Sequence, residues 1–152
     1  MTNNALAAPA LLDANVPMYA AGQDHPYKEA CVWVMEEITA GRLAVAINTE
    51  IIQEILYRYG ALQRWSVGVT MATNLMDIIP TMYPVLLADA RLAVDLFSRY
   101  GTQGVRSRDL FHAAVMYSND LTTIISTDTH FDRIPEVTRL DPQSLFRQAQ
   151  QL

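Results

Sequence analysis

Residues 105 to 132, VRSRDLFHAAVMYSNDLTTIISTDTHFD, constrain the fold most, because one acid opens a helical pattern and a second closes the strand that follows it. Ser107 is placed as an N-cap, Leu110, Ala113, Ala114 and Tyr117 recur at helical spacing, and Asn119-Asp120 stops the helix. Leu121 to Ile125 then reads as a short buried strand. In an αβ unit the helix and the strand after it run in opposite directions, so Asp109 and Asp128 fall on one edge of the domain. That edge is the carboxyl end of a parallel sheet, where α/β proteins place their sites. Taken singly, each acid also has an ordinary use, Asp109 in the first turn of a helix and Asp128 in an Asx-turn.

The rest of the chain repeats the alternation. PALLD, residues 9 to 13, reads as a buried strand ending in an acid, with Asn15 two residues on in the following turn. His25 to Ala40 is a helix by the spacing of Ala30, Val34 and Ile38, closed by Gly41, and Leu43 to Ile47 is the second strand. Asn48 or Thr49 begins a helix through Ile51, Ile55 and Tyr59, in which Glu50 lies in the first turn and Glu54 one turn further in. Residues 62 to 76 read as a helix, and Met76 to Met82 as an edge strand, because Pro80 cannot donate to a central ladder. Val85 to Tyr100 is a further amphipathic helix, Val137 to Leu140 a last strand, and 143 to 152 a tail. Five alternations imply an α/β fold with a mainly parallel five-stranded sheet and helices on both faces. One domain over 1 to 152 suits this length, with a core from about 8 to 142.

Composition narrows the function. The apolar run Ala5 to Leu12 has no Lys or Arg before it and is broken by Asp13, so neither a signal peptide nor a membrane span is expected and a cytoplasmic protein is. Cys31 is the only cysteine, which excludes an internal disulfide and a thiolate metal cluster. A net charge of −5 argues against gripping duplex nucleic acid by neutralising many phosphates. Lys28 is the one lysine among eleven basic residues, so the other ten are Arg, the side chain suited to bidentate phosphate contacts.

Four acids thus stand at element ends or one turn inside a helix: Asp13, Glu54, Asp109 and Asp128. No Cys or His stands with them at zinc spacing, and no glycine-rich phosphate loop or Gly-x-Ser-x-Gly elbow is present. An all-oxygen cluster selects hard cations such as Mg²⁺ or Mn²⁺. Without a cation such carboxylates repel one another and at least one keeps its proton.

With these residues in place the sequence resembles PIN-domain ribonucleases of the VapC toxin type over nearly its whole length, through LLDANVPMYA, IIQEILYRYG, RDLFHAAVM and IISTDTHFDRIPEVTRLDP in that order. The resemblance puts the acidic site residues on Asp13, Glu54, Asp109 and Asp128, with Asn15 and Thr127 in support. It implies Mg²⁺- or Mn²⁺-dependent hydrolysis of RNA, with Asp13, Asp109 and Asp128 as metal ligands and Glu54 a ligand through water. It also implies a homodimer, with apolar helices around Trp65 and Phe97, and a cognate antitoxin whose C-terminal segment crosses the acidic crevice. Arg106 and Arg108 are placed as contacts to flanking phosphates. The chain departs from the pattern at His130, where many relatives carry an acid, while Asp132 is left outside the site and His112 is read as a core histidine. Two alternatives remain open at this point: a PIN fold that binds RNA or a partner without cutting, and a haloacid-dehalogenase-type phosphatase, which needs a second acid where Asn15 stands.

Overall fold

A computed structural model describes residues 8–152, so the first part of the apolar run from Ala5 lies outside the described residues. Its end forms β1 (Ala10–Leu12), which is followed by α1 (Asn15–Ala21), α2 (Lys28–Thr39), β2 (Val45–Asn48), α3 (Thr49–Ala61) and α4 (Trp65–Ile78). The chain continues through β3 (Met82–Tyr83), α5 (Leu87–Tyr100), α6 (Ser107–Ser118), β4 (Thr123–Ile125), β5 (Thr138–Leu140) and α7 (Pro142–Gln150). All five strands are parallel, in the order β3-β2-β1-β4-β5.

β1 is the centre of the sheet. Leu11 pairs with Ala46 on one side and Ile124 on the other, and β1 and the middle of both neighbours are buried. A strand buried on both faces needs a continuous apolar run, which ALL, VAI and II supply. From β1 the chain builds outward through β2 and β3, then returns to place β4 and β5 on the other flank. The switch in direction lies between β1 and β4, and a crevice opens beyond their carboxyl ends, as expected for an open α/β sheet. Among the described residues no helix is long and apolar enough to cross a membrane.

The elements differ from expectation in three places. Met76 to Met82 is not one strand: α4 holds its helical spacing through Ala72, Leu75 and on to Ile78, and only Ile79 turns extended, at φ −105° and ψ 110°. The residue before a proline is driven out of the helical region, so Pro80 ends the helix, and the two-residue strand β3 follows at the sheet edge. Residues 143 to 152 are not a bare tail, because Asp141 accepts a hydrogen bond from Gln143 N at 2.7 Å and Pro142 starts α7. That helix lies on α2, with the Trp33 and Phe146 rings 5.8 Å apart. Finally, Ser107 is the first residue of α6 rather than its cap; Arg106 holds the extended cap position and makes no side-chain capping bond.

Candidate metal centre

Asp13 extends β1 by one residue, its N–H donating to Ile125 O at 3.0 Å, and its carboxylate then turns into the crevice. Ala14 N donates to Asp13 Oδ1 at 2.8 Å, while Oδ2 accepts from Ser126 Oγ at 2.7 Å and from Asn15 Nδ2 at 3.2 Å. Ser126 ties the two strand ends together, because its hydroxyl also accepts from Asp128 N at 3.0 Å. Asn15 reaches the same hydroxyl through Nδ2 at 3.2 Å and accepts from Thr127 N through Oδ1 at 3.4 Å. Thr127 therefore takes part through its backbone, with its residue on the crevice wall. Asp128 is held by His130 N, which donates to Oδ1 at 2.9 Å.

The helices bring the other acids. Asp109 sits in the first turn of α6, 6% exposed, with Oδ2 buried and without a hydrogen-bond partner. Glu54, one turn inside α3, accepts from Arg108 Nη1 at 3.1 Å, and Arg108 Nε is 3.9 Å from Glu50. Arg108 is thus engaged by carboxylates rather than free for a phosphate, whereas Arg106 is exposed on the crevice wall with Arg58. Asp132 pairs with Arg139 at 3.0 Å and is not among the crevice residues. All four predicted acids line this single crevice of about 730 Å³.

His112 belongs to the site as well as to the core. It is fully buried, its Nε2 lying 3.6 Å from Glu54 Oε2 and 4.0 Å from Asp13 Oδ1. Asn48 fixes how the ring is used. Its Oδ1 caps α3 by accepting from Ile51 N at 2.9 Å, so its Nδ2 is the atom facing His112 Nδ1 at 3.0 Å. An amide NH₂ only donates, so in the neutral ring Nδ1 accepts and the proton is on Nε2, toward the two carboxylates; burial lowers His112, but Glu54 and Asp13 outweigh it and raise the imidazole above its ordinary value. His112 Nε2 faces Glu54 and Asp13 at charge-pair distance without a hydrogen bond to either, and in this tautomer it offers no lone pair to a metal.

Ser126, Asn48 and the use of His112 were not foreseen from the sequence. Asn48 gave the one local signal, as a helix N-cap; the bonds of all three across the fold depend on chain pairing.

Electrostatically the crevice is overloaded with negative charge. Burial first, then Asp128 and Asp13, push the Asp109 carboxyl up to about 7, and burial also raises Asp13. Glu54 is pushed up by burial but brought below its ordinary value by His112 and Arg108. The buried side-chain polar atoms without a hydrogen bond among the described residues are Glu54 Oε2, Asp109 Oδ2, His112 Nε2 and His130 Nδ1, and all four belong to this cluster. Buried polar atoms are rarely left unpaired, and three carboxylate or imidazole donors from Asp109, Asp128 and His130 lie within 4.8 Å of one another. Such a donor set fits a divalent cation.

An all-parallel α/β sheet with clustered carboxylates at its switch point defines an acidic class of site whose donors could hold a cation. The family model of the PIN domain matches residues 10–137, and the chain belongs to that family. Ribonuclease VapC13 of Mycobacterium tuberculosis is 32% identical over 130 residues, covering 86% of this chain and 98% of the relative. Ribonuclease VapC7 of the same organism is 27% identical, covering 88% of this chain and 92% of the relative. Among solved structures, VapBC2 of Rickettsia felis bound to a promoter DNA fragment shares the fold at a TM-score of 0.67 and 15% identity, covering 88% of this chain and 98% of that chain. Membership of this family, with Asn15 donating to Asp13 instead of supplying a second acid, removes the phosphatase alternative.

Proposed function

We propose that the chain is an endoribonuclease of the VapC kind, the toxin of a toxin-antitoxin pair, which uses Mg²⁺ or Mn²⁺ to hydrolyse RNA phosphodiester bonds. The observation that carries this is the convergence of Asp13, Glu54, Asp109 and Asp128 on one crevice with buried, unpaired donor atoms. Asp13, Asp109 and Asp128 would hold the cation directly and Glu54 through water. A bound divalent cation lowers the pKa of a coordinated water and offsets charge on the phosphate and the leaving oxygen. The chain's own side chains then set the geometry: Ser126 and Asn15 orient Asp13, Arg108 holds Glu54, and Arg106 would face a flanking phosphate.

The same donors argue against a fold that binds RNA without cutting, because four carboxylates repel phosphate until a cation reverses the local charge. An antitoxin partner is supported by the VapBC complexes among the structural relatives and by an apolar groove of about 800 Å³ between α1, α2 and α4, with Met35, Val67, Met71 and Ile78 on its walls. Homodimerisation is supported by Trp65 and Phe97, 65% and 55% exposed. The test is cleavage of a single-stranded RNA reporter followed on a gel. Internal cuts with Mg²⁺ or Mn²⁺ and none in EDTA are expected; metal-independent cutting, or no cutting of any RNA with metal present, would overturn the reading.

A further inference from the structure

We propose that His130 supplies a nitrogen donor to a cation shared with Asp109 and Asp128, and that this tunes the site toward Mn²⁺ over Mg²⁺. The inference rests on the metal-dependent reading above and deepens it by assigning a ligand and a metal preference.

His130 Nδ1 is buried and makes no hydrogen bond, although Asp128 Oδ1 is only 2.8 Å away. That oxygen already accepts from His130 N. The two atoms lie side by side instead of donor to acceptor. Two donors on adjacent corners of an octahedral cation with bonds of about 2.1 Å stand about 3 Å apart, so this spacing suits joint ligation. Asp109 supplies the third member, with its buried Oδ2 unpaired and its side chain in the same cluster.

The nitrogen must come from this residue. His112 Nδ1 is occupied by Asn48 and its Nε2 carries the proton, while His25 lies in an aromatic group with Tyr19 and Tyr27, its Nδ1 accepting from Tyr27 N at 3.2 Å. Imidazole is a poor ligand for Mg²⁺, which prefers oxygen and water, but an ordinary one for first-row transition ions. A neutral imidazole in place of a carboxylate also removes one negative charge, which lowers the electrostatic attraction for any dication and leaves donor softness to discriminate.

The experiment uses the tag-free full-length protein, Mn²⁺ electron paramagnetic resonance with spin-echo detection of ¹⁴N coupling, and Mg²⁺ competition, for wild type, His130→Gln and His130→Asp. Wild type should show nitrogen coupling to bound Mn²⁺ and prefer Mn²⁺ to Mg²⁺ by roughly tenfold or more. Both variants should lose the nitrogen coupling, and His130→Asp should close most of the gap by binding Mg²⁺ better. Bound Mn²⁺ without nitrogen coupling in wild type, or coupling that survives in His130→Gln, overturns the proposal and leaves the nuclease reading intact. Mn²⁺ that remains free in wild type removes both.

Discussion

Replacing Asp109 by Asn should stabilise the metal-free protein at pH 8, although it deletes a residue proposed to be essential for activity. The carboxyl is 6% exposed and pushed from 3.8 up to about 7, by burial first and then by Asp128 and Asp13. A shift of about three units at ~1.4 kcal/mol per unit sets a ceiling of about 4 kcal/mol on the cost of charging it at pH 8. The crevice is open to solvent and its neighbours relax, so about 2 kcal/mol is the expected gain. For a chain of this length that is a rise in Tm of roughly 4–8 °C. The sign of the pH dependence follows from proton binding. Between 3.8 and about 7 the folded state holds a proton that the unfolded state has released, so wild-type stability falls as pH rises through that window. The variant's advantage should be greatest above the window and shrink steadily toward pH 4. Calorimetry in EDTA from pH 4 to 8 measures this, and adding Mn²⁺ should raise the Tm of wild type far more than that of the variant. A variant no more stable than wild type at pH 8, or a gap that does not change with pH, would refute the claim that Asp109 is charged against an electrostatic penalty.

Ser126→Ala removes the hydroxyl that donates to Asp13 and accepts from Asp128 N and Asn15, so a loss of about 1–3 kcal/mol in denaturant unfolding is expected, together with weaker metal binding. Asn48→Ala takes away both the cap of α3 and the donor that fixes the His112 tautomer; about 2 kcal/mol should be lost, and ¹⁵N spectra of His112 should show the proton no longer confined to Nε2. In sedimentation the wild type should run as a dimer at micromolar concentration and Trp65→Glu or Phe97→Glu should shift it to monomer; a monomeric wild type contradicts the role given to those exposed side chains.

Asp13, Asp109 and Asp128 could be read from sequence because each stands where a strand ends or a helix begins, and periodicity locates those ends. Glu54 could not be chosen that way, since a mid-helix acid looks the same whether it faces solvent or a crevice; it counts as a candidate only in company with the other three acids, a grouping the resemblance also makes. The bonds that organise the site join residues far apart in the chain. Asp13 meets Ser126 across 113 positions and Asn48 meets His112 across 64, so neither pair has a local signature. The ion pairs of Arg108 have no local signature for the same reason, because its partners Glu54 and Glu50 lie on another helix. Two misread elements did carry signals: Asp141-Pro142 is a cap followed by a first-turn proline, and Pro80 marks the end of α4 as plainly as it excludes a central strand.

The central claim is tested most directly by RNA cleavage with purified wild type and Asp13→Asn, each with Mn²⁺ and with EDTA, alongside thermal melting of the same samples. Wild type should cut only with metal, and Asp13→Asn should not cut in either condition while melting cooperatively, in EDTA at a temperature equal to or above that of wild type, because carboxylate repulsion is relieved. Cleavage by Asp13→Asn at the wild-type rate, or wild-type cleavage that persists in EDTA, would contradict a metal-dependent nuclease built on this crevice.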